Sequence, residues 1–150
     1  MVDKNSENEP KIPQYPSHIG WTIAKISRLW SQQFVQKTNA LGHNWFTLSA
    51  SNLLGHLPRK GLNQKALTTR TGLTKQAVNQ QIDDLVKANI LKRTVSQTDK
   101  RARIISYTDK GLAALKDIDK IKLEIEQDYI KIIGQDALDQ LIKTVDKLTE

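Results

Sequence analysis

Cysteine is absent from the 150-residue chain. Its absence excludes disulfides, thiolate metal sites, cysteine nucleophiles and thiol redox sensing, and it is compatible with a reducing compartment. Long apolar runs are missing too. No segment matches the ~20 apolar residues that a membrane-spanning helix requires. The polar start from Met1 to Pro16 lacks the apolar core of a signal peptide. These features predict a soluble, cytoplasmic protein with no membrane partner. The three histidines, His18, His43 and His56, do not have the His-x-x-x-His spacing of a metal-binding pair, and no glycine-rich phosphate loop follows a strand. The expectation is therefore no enzyme, no cofactor and no metal. A zinc sensor using those histidines with nearby carboxylates is a minor alternative.

Positive charge is abundant, and it is unevenly placed. The chain carries +7 overall. Arg59 to Arg103 holds eleven Lys or Arg against three acids, whereas the remainder holds twelve against thirteen. The whole excess lies in one central segment, as expected of a module that displaces counterions from a phosphate backbone.

Apolar spacing divides the chain into elements. Residues 1–16, with Pro10, Pro13 and Pro16 among charges and amides, read as a flexible arm. Ser17 can cap a first helix in which Ile19, Ile23, Ile26, Trp30 and Phe34 share a face as far as about Leu41. Thr47 can cap a second, carrying Leu48, Ala50, Leu53, Leu54 and Leu57 and closed by Pro58. Asn63 can cap a third through about Thr69, with Ala66 and Leu67 inward and Gly72 as the turn. Thr74 precedes a fourth, Lys75 to Ala88, with Val78, Ile82, Leu85 and Val86 toward the core and Lys75, Gln76, Asn79 and Gln80 outward. Residues 90–95 and 103–107 read as a β-hairpin with a polar, basic tip. Thr108 can cap a long helix with Leu112, Leu115, Ile118, Ile121, Ile125, Tyr129 and Ile132 on one face. Asp136 can cap a last helix with Leu138, Leu141, Ile142, Val145 and Leu148.

Two short helices joined through a glycine turn, the second opening with polar side chains, form a helix-turn-helix pattern whose second helix fits a major groove about 12 Å wide. Gln76, Asn79 and Gln80 are the base-reading candidates, because an amide can pair bidentately with adenine N6 and N7. Thr74 and Lys75 suit phosphate at the helix N-terminus. In the hairpin tip, Asp99 can hold the turn through a charge-assisted pair with Arg101, and Lys100, Arg101 and Arg103 supply positive charge for a neighbouring minor groove. The fold expected is mainly α with a small β-hairpin wing. Residues 42–108 form a winged helix-turn-helix DNA-binding lobe, and 17–41 with 109–150 form a helical dimerisation region. The terminal helices have more apolar positions than a small winged core absorbs, which predicts a homodimer. The alternative is a winged-helix nucleic-acid-binding protein, architectural or RNA-binding, without effector sensing.

Leu67 and the run Gly72-Leu73-Thr74-Lys75-Gln76-Ala77-Val78-Asn79-Gln80-Gln81-Ile82-Asp83-Asp84-Leu85 carry a further signal. So do Asn89-Ile90-Leu91-Lys92-Arg93, Asp99-Lys100-Arg101 and Ile105-Ser106-Tyr107-Thr108-Asp109-Lys110-Gly111. Together they resemble the MarR family of winged-helix transcription regulators. The resemblance implies a DNA-binding homodimer, with Asp99 and Arg101 in the Asp-x-Arg wing signature and Arg101 as the minor-groove arginine. It also implies a repressor released from DNA by a small aromatic or phenolic effector in a crevice beside the dimer helices, where His18, Trp21, Trp30, His43 and Trp45 are the candidate lining. Two departures stand out. Ala77-Val78-Asn79-Gln80 replaces the family's frequent Thr-Val-Thr-Arg, and Ser96-Gln97 replaces the usual Asp-Pro before the wing. Amides where an arginine commonly reads guanine predict a site richer in A·T pairs.

Overall fold

The computed structural model describes residues 18–149. The expected arm, 1–16, and Ser17 lie outside the described residues. Six helices and three short strands follow one another as α1 (Ile19–Ala40), α2 (Leu48–Gly55), β1 (Leu62–Asn63), α3 (Gln64–Thr71), α4 (Lys75–Lys87), β2 (Leu91–Val95), β3 (Arg103–Tyr107), α5 (Asp109–Ile133) and α6 (Gln135–Thr149). The mainly helical, winged architecture expected from the sequence is present. Four caps fall where side-chain oxygens in the sequence predict them. Thr47, Asn63, Thr74 and Thr108 accept from the backbone N–H of Ala50, Lys65, Ala77 and Gly111, each satisfying one free helix donor.

Several boundaries differ. The residue capping α1 is His18, whose Nδ1 accepts from the Trp21 N–H at 3.3 Å. Asp136 lies inside the first turn of α6 instead of capping it, where its charge still complements the helix dipole. The hairpin is part of a three-stranded antiparallel sheet ordered β1-β3-β2, with Leu62 opposite Ile105 and Asn63 opposite Ile104. A two-residue strand has no alternation to detect, so β1 is invisible to periodicity. Val86, expected inward, is exposed, as are Leu48, Leu112 and Ile132.

One core joins all elements up to α5. Leu53, Leu67, Val78, Ile82, Ile90, Ile105, Ile121 and Ile125 are sealed from solvent, and Phe34 packs edge-on against Phe46 with centroids 5.1 Å apart. The wing leaves this core early. In β2 only Leu91 is buried, so the hairpin beyond it projects outward.

α4 is anchored at its C-terminal end. Asn89 adopts φ 59, a left-handed conformation that asparagine tolerates, and the N–H groups of Asn89 and Ile90 return to the carbonyls of Val86 and Leu85, both at 2.9 Å. The Ile90 carbonyl then accepts from the Thr108 N–H at 3.0 Å. Gly111 sits so close that a Cβ there would fall 2.1 Å from the Ile90 oxygen. No larger residue allows α5 to start against this turn. Further ties link α5 to the rest. Arg59 pairs with Asp119, His43 Nε2 lies 3.1 Å from Asp117 Oδ2, and hydrogen bonds from Lys131 and Lys37 hold the Asp128 carboxyl below its usual range.

Tyr107, at the base of β3, donates its hydroxyl to the Leu57 carbonyl at 3.1 Å and reaches that of Leu54 at 3.4 Å, fastening the sheet to the end of α2. Burial pushes this phenol from an ordinary 10.0 up to about 12. The neutral form is therefore favoured in the fold, so its contribution is complete below pH 10 and is lost as pH rises from 10 to 12. At neutral pH, Tyr107→Phe is expected to cost about 1 kcal/mol, seen as a Tm lower by roughly 2–4 °C. In thermal melts the gap between wild type and variant closes above pH 10; a gap constant to pH 12 contradicts the assignment.

Candidate nucleic-acid interface

Polar caps and one glycine build the site. α3 ends at Gly72, which takes φ 65, and the chain turns through Leu73 into the Thr74 cap of α4. Because α4 buries Val78, Ile82 and Leu85, its opposite face must carry Lys75, Gln76 and Gln80 into solvent. All three are exposed. Thr74 spends its hydroxyl oxygen on the Ala77 N–H at 3.2 Å, leaving its hydroxyl proton outward.

The wing tip is shaped by its own backbone. Asp99 Oδ1 accepts from the Arg101 N–H at 2.9 Å, and the Asp99 carbonyl accepts from the Ala102 N–H at 2.9 Å. Asp99 thus stabilises the turn through the main chain and not through the guanidinium, the partner that the residue spacing suggests. The Arg101 guanidinium makes no hydrogen bond or ion pair among the described residues. Arg103 Nη1 reaches the Lys100 carbonyl at 3.3 Å, bracing the tip from behind. At the wing's root, Arg93 pairs with Asp83 of α4 at 2.9 Å, which couples the hairpin to that helix.

Between wing and helices runs an open groove of about 570 Å³. Lys65, Lys75, Arg101 and Arg103 line it, with Asp99 as its one acid. Asn63, Thr68 and Thr69 add short polar groups. Such a channel suits a polyanion held by cations and hydroxyls. The sequence-predicted residues Lys75, Arg101 and Arg103 converge here, while Gln76, Gln80 and Lys100 lie outside the groove lining. Lys65, Thr68 and Thr69 were missed by sequence reasoning. Their signal is the composition of α3, where Leu67 alone is buried and Lys65, Thr69 and Arg70 are exposed.

Asn79 departs from the outward position expected of it. It is half-buried, and its Oδ1 accepts from Gln64 Nε2 on α3. Gln80 Nε2 donates to Asp84 Oδ1 at 3.0 Å along its own helix.

A MarR family model matches residues 46–102, which hold the helix-turn-helix and most of the wing. The regulator TcaR of Staphylococcus aureus, an HTH-type transcriptional regulator, is 30% identical over 121 residues, spanning 73% of this chain and 80% of TcaR. The chain belongs to the MarR family. Membership makes it a DNA-binding transcription regulator and not an enzyme. The fold agrees. Apo MarR from E. coli superposes with a TM-score of 0.75 at 15% identity, covering 91% of this chain and all of that one. CouR, a transcriptional repressor solved on a 23-mer DNA duplex, superposes at 0.72 with 22% identity over 89% of this chain and 93% of its own.

Within one copy of this MarR-family chain the five candidate pocket residues are spread over three places, His18 with Trp21, Trp30, and His43 with Trp45. His18 and Trp21 stand exposed at the start of α1. Trp30 is half-buried, 4.7 Å from Phe34 between ring centroids, and lines a crevice of about 180 Å³ with Phe46, Leu54, Leu115 and Lys122. His43 packs edge-on against Trp45, which packs edge-on against Phe46 and faces a separate crevice with Gln81 and Leu85. Among the described residues no helix is long and apolar enough to cross a membrane, and no group of three metal-ligating side chains occurs.

Proposed function

We propose that this regulator is a homodimeric repressor that grips one duplex with two winged lobes and lets go when a small aromatic effector binds. The observation that supports it most is the groove joining the N-terminus of α4 to the wing tip, with four cations facing one acid. A phosphate backbone laid along it runs between a helix sized for the major groove and an arginine free to enter the minor groove. Lys75 and Thr74 serve phosphate, Gln76, Asn79 and Gln80 serve base edges, and Lys100, Arg101 and Arg103 serve the wing contact, with Asp99 as its brace. Its place of action is the cytoplasm, with the DNA.

Lys75→Ala and Arg101→Ala are each expected to weaken duplex binding and to lower the salt slope of log K by about one. Gln76→Ala should instead relax sequence preference and leave the slope alone. Fluorescence anisotropy across a salt series separates the two classes, and unchanged affinity in Arg101→Ala removes the wing from the interface.

Dimerisation is supported by two unpartnered stripes. On α1, Ile19, Ile23, Ile26 and Leu29 are exposed before the same face enters the core at Phe34. On α6 only Leu138 is buried, while Leu141, Ile142, Val145 and Leu148 continue its line in solvent, Leu148 at 70% exposure. A second copy covering both stripes removes the apolar surface from water and sets two recognition helices roughly 34 Å apart. Residues 17–41 and 109–150 then form the dimerisation region and 42–108 the DNA-binding lobe. Ile142→Glu with Val145→Glu is expected to give monomers by analytical ultracentrifugation and to abolish tight duplex binding, with the helical circular dichroism of the lobe retained. Dimers surviving both changes place the interface elsewhere.

Effector release is supported by the crevice beside Trp30, which touches α1, α2 and α5 at once. It is walled by aromatic and aliphatic side chains, and Lys122 stands 6.0 Å from the Phe34 ring centroid, placing one cation at its rim for a phenolate or carboxylate. A ligand acts only if it favours a dimer whose recognition helices are misplaced. Titrating single-ring phenols and benzoates is expected to quench tryptophan fluorescence and lower duplex affinity over the same concentration range, and Trp30→Leu should lose both. Quenching without release leaves a DNA-binding regulator that senses nothing at this crevice.

A further inference from the structure

The three amides offered by α4 are in different situations. Gln76 is exposed and makes no side-chain hydrogen bond among the described residues. Gln80 donates to Asp84 one turn along, a weak exposed pair that gives way easily. Asn79 is held more firmly. It is half-buried, and the donor that engages its oxygen comes from another element: Nε2 of Gln64, the first residue of α3.

Gln64 itself has little freedom. The preceding residue, Asn63, is opposite Ile104 in the sheet, and Asn63 Oδ1 caps α3 through the Lys65 N–H at 2.8 Å. The backbone of Gln64 is therefore fixed by strand and helix together, and its carbonyl accepts from Thr68 Oγ1 at 3.0 Å. An amide donor on so fixed a base orients the amide that it touches.

The consequence concerns base readout. An Asn79 oxygen turned back onto α3 is not turned toward the groove, so the edge left for DNA is Nδ2, a donor without an acceptor beside it. Bidentate recognition of adenine needs both, one facing N6–H₂ and one facing N7. An amino group alone matches two adjacent acceptors, which guanine presents at N7 and O6. The O4 of thymine is its next best partner, whereas adenine N6–H₂ and cytosine N4–H₂ meet it donor to donor.

We propose that Gln64 is a positioning residue that sets base preference: by donating to Asn79 Oδ1 it makes Asn79 a reader of guanine, then thymine, in place of adenine. The proposal rests on the reading that α4 enters a major groove. It deepens that reading by naming the bases under one side chain, and for that side chain it reverses the adenine preference that an unconstrained amide would have.

Selection of bound sequences from a random duplex pool tests it with four proteins, wild type, Asn79→Ala, Gln64→Glu and Gln64→Met. The position that loses its bias in Asn79→Ala is the one Asn79 reads. There the wild type is expected to enrich guanine, then thymine, on the order of tenfold over adenine. In Gln64→Glu the new carboxylate accepts where the amide donated, so Asn79 turns its Nδ2 inward and its oxygen outward. The same position should shift to adenine or cytosine, the bases that present a donor. Gln64→Met keeps the charge and removes the lock, and the freed amide is expected to admit adenine bidentately. If Gln64→Glu binds too weakly to select, Gln64→Met decides alone. A purely structural role for Gln64 would lower affinity at every position and leave the base ratio under Asn79 unmoved. Adenine leading in the wild type overturns the proposal. So does the absence of any position responsive to Asn79→Ala, or a base ratio in the Gln64 variants equal to the wild type. A wild type that enriches no sequence at all overturns sequence reading by α4 as well, and is recognised by failing before any variant is compared.

Discussion

The Ile90 carbonyl is where the recognition helix, the wing and the long helix meet. The N–H of the same residue closes the turn after α4, while the carbonyl accepts from the Thr108 N–H and lies against Gly111 with no room for a side chain between them. α4 therefore cannot tilt without moving the start of α5, and β2 leaves the same turn one residue later. A site made of one helix face and one hairpin tip requires that the angle between them be held, because a groove contact displaced by an ångström or two loses its partners. Hydrogen bonds and close packing at one backbone carbonyl do this without drawing on any side chain that faces the ligand.

Charge is divided along the same lines. Arg59, Arg93 and Lys37 are spent on Asp119, Asp83 and Asp128, fastening loops and helices to one another. Exposed pairs of this type are each worth about 0–1 kcal/mol, so they fix orientation more than they stabilise. Lys75 and Arg101 have no acidic partner among the described residues and line the open groove. A regulator that bound its own cations too well would have none left for DNA, and no acid of α5 lines the groove.

Much of the fold is legible in the residues themselves. Thr47, Asn63, Thr74 and Thr108 are capping residues in front of apolar periodicities, and each caps where the spacing says it does. The outward faces of α1 and α6 are also legible as a surplus of apolar positions. Less could be read where a contact is made between elements distant in sequence. β1 is two residues long and exists only because β3 offers it a partner. Val86 lies on the apolar side of its helix yet stays 37% exposed. Asp99 looks like an ion-pair partner for Arg101 and bonds to its backbone instead, since the turn brings the N–H closer than the guanidinium.

The sequence by itself determined the order of the helices and the hairpin, four of the helix caps, the basic centre and the family, because these depend on neighbours within a few residues and on composition. Tertiary structure alone decided which amide is free and which is engaged. Gln64 and Asn79 are fifteen residues apart on different helices, and no periodicity relates them. Hydrogen bonds have direction, and only folding sets the oxygen of one amide against the nitrogen of another.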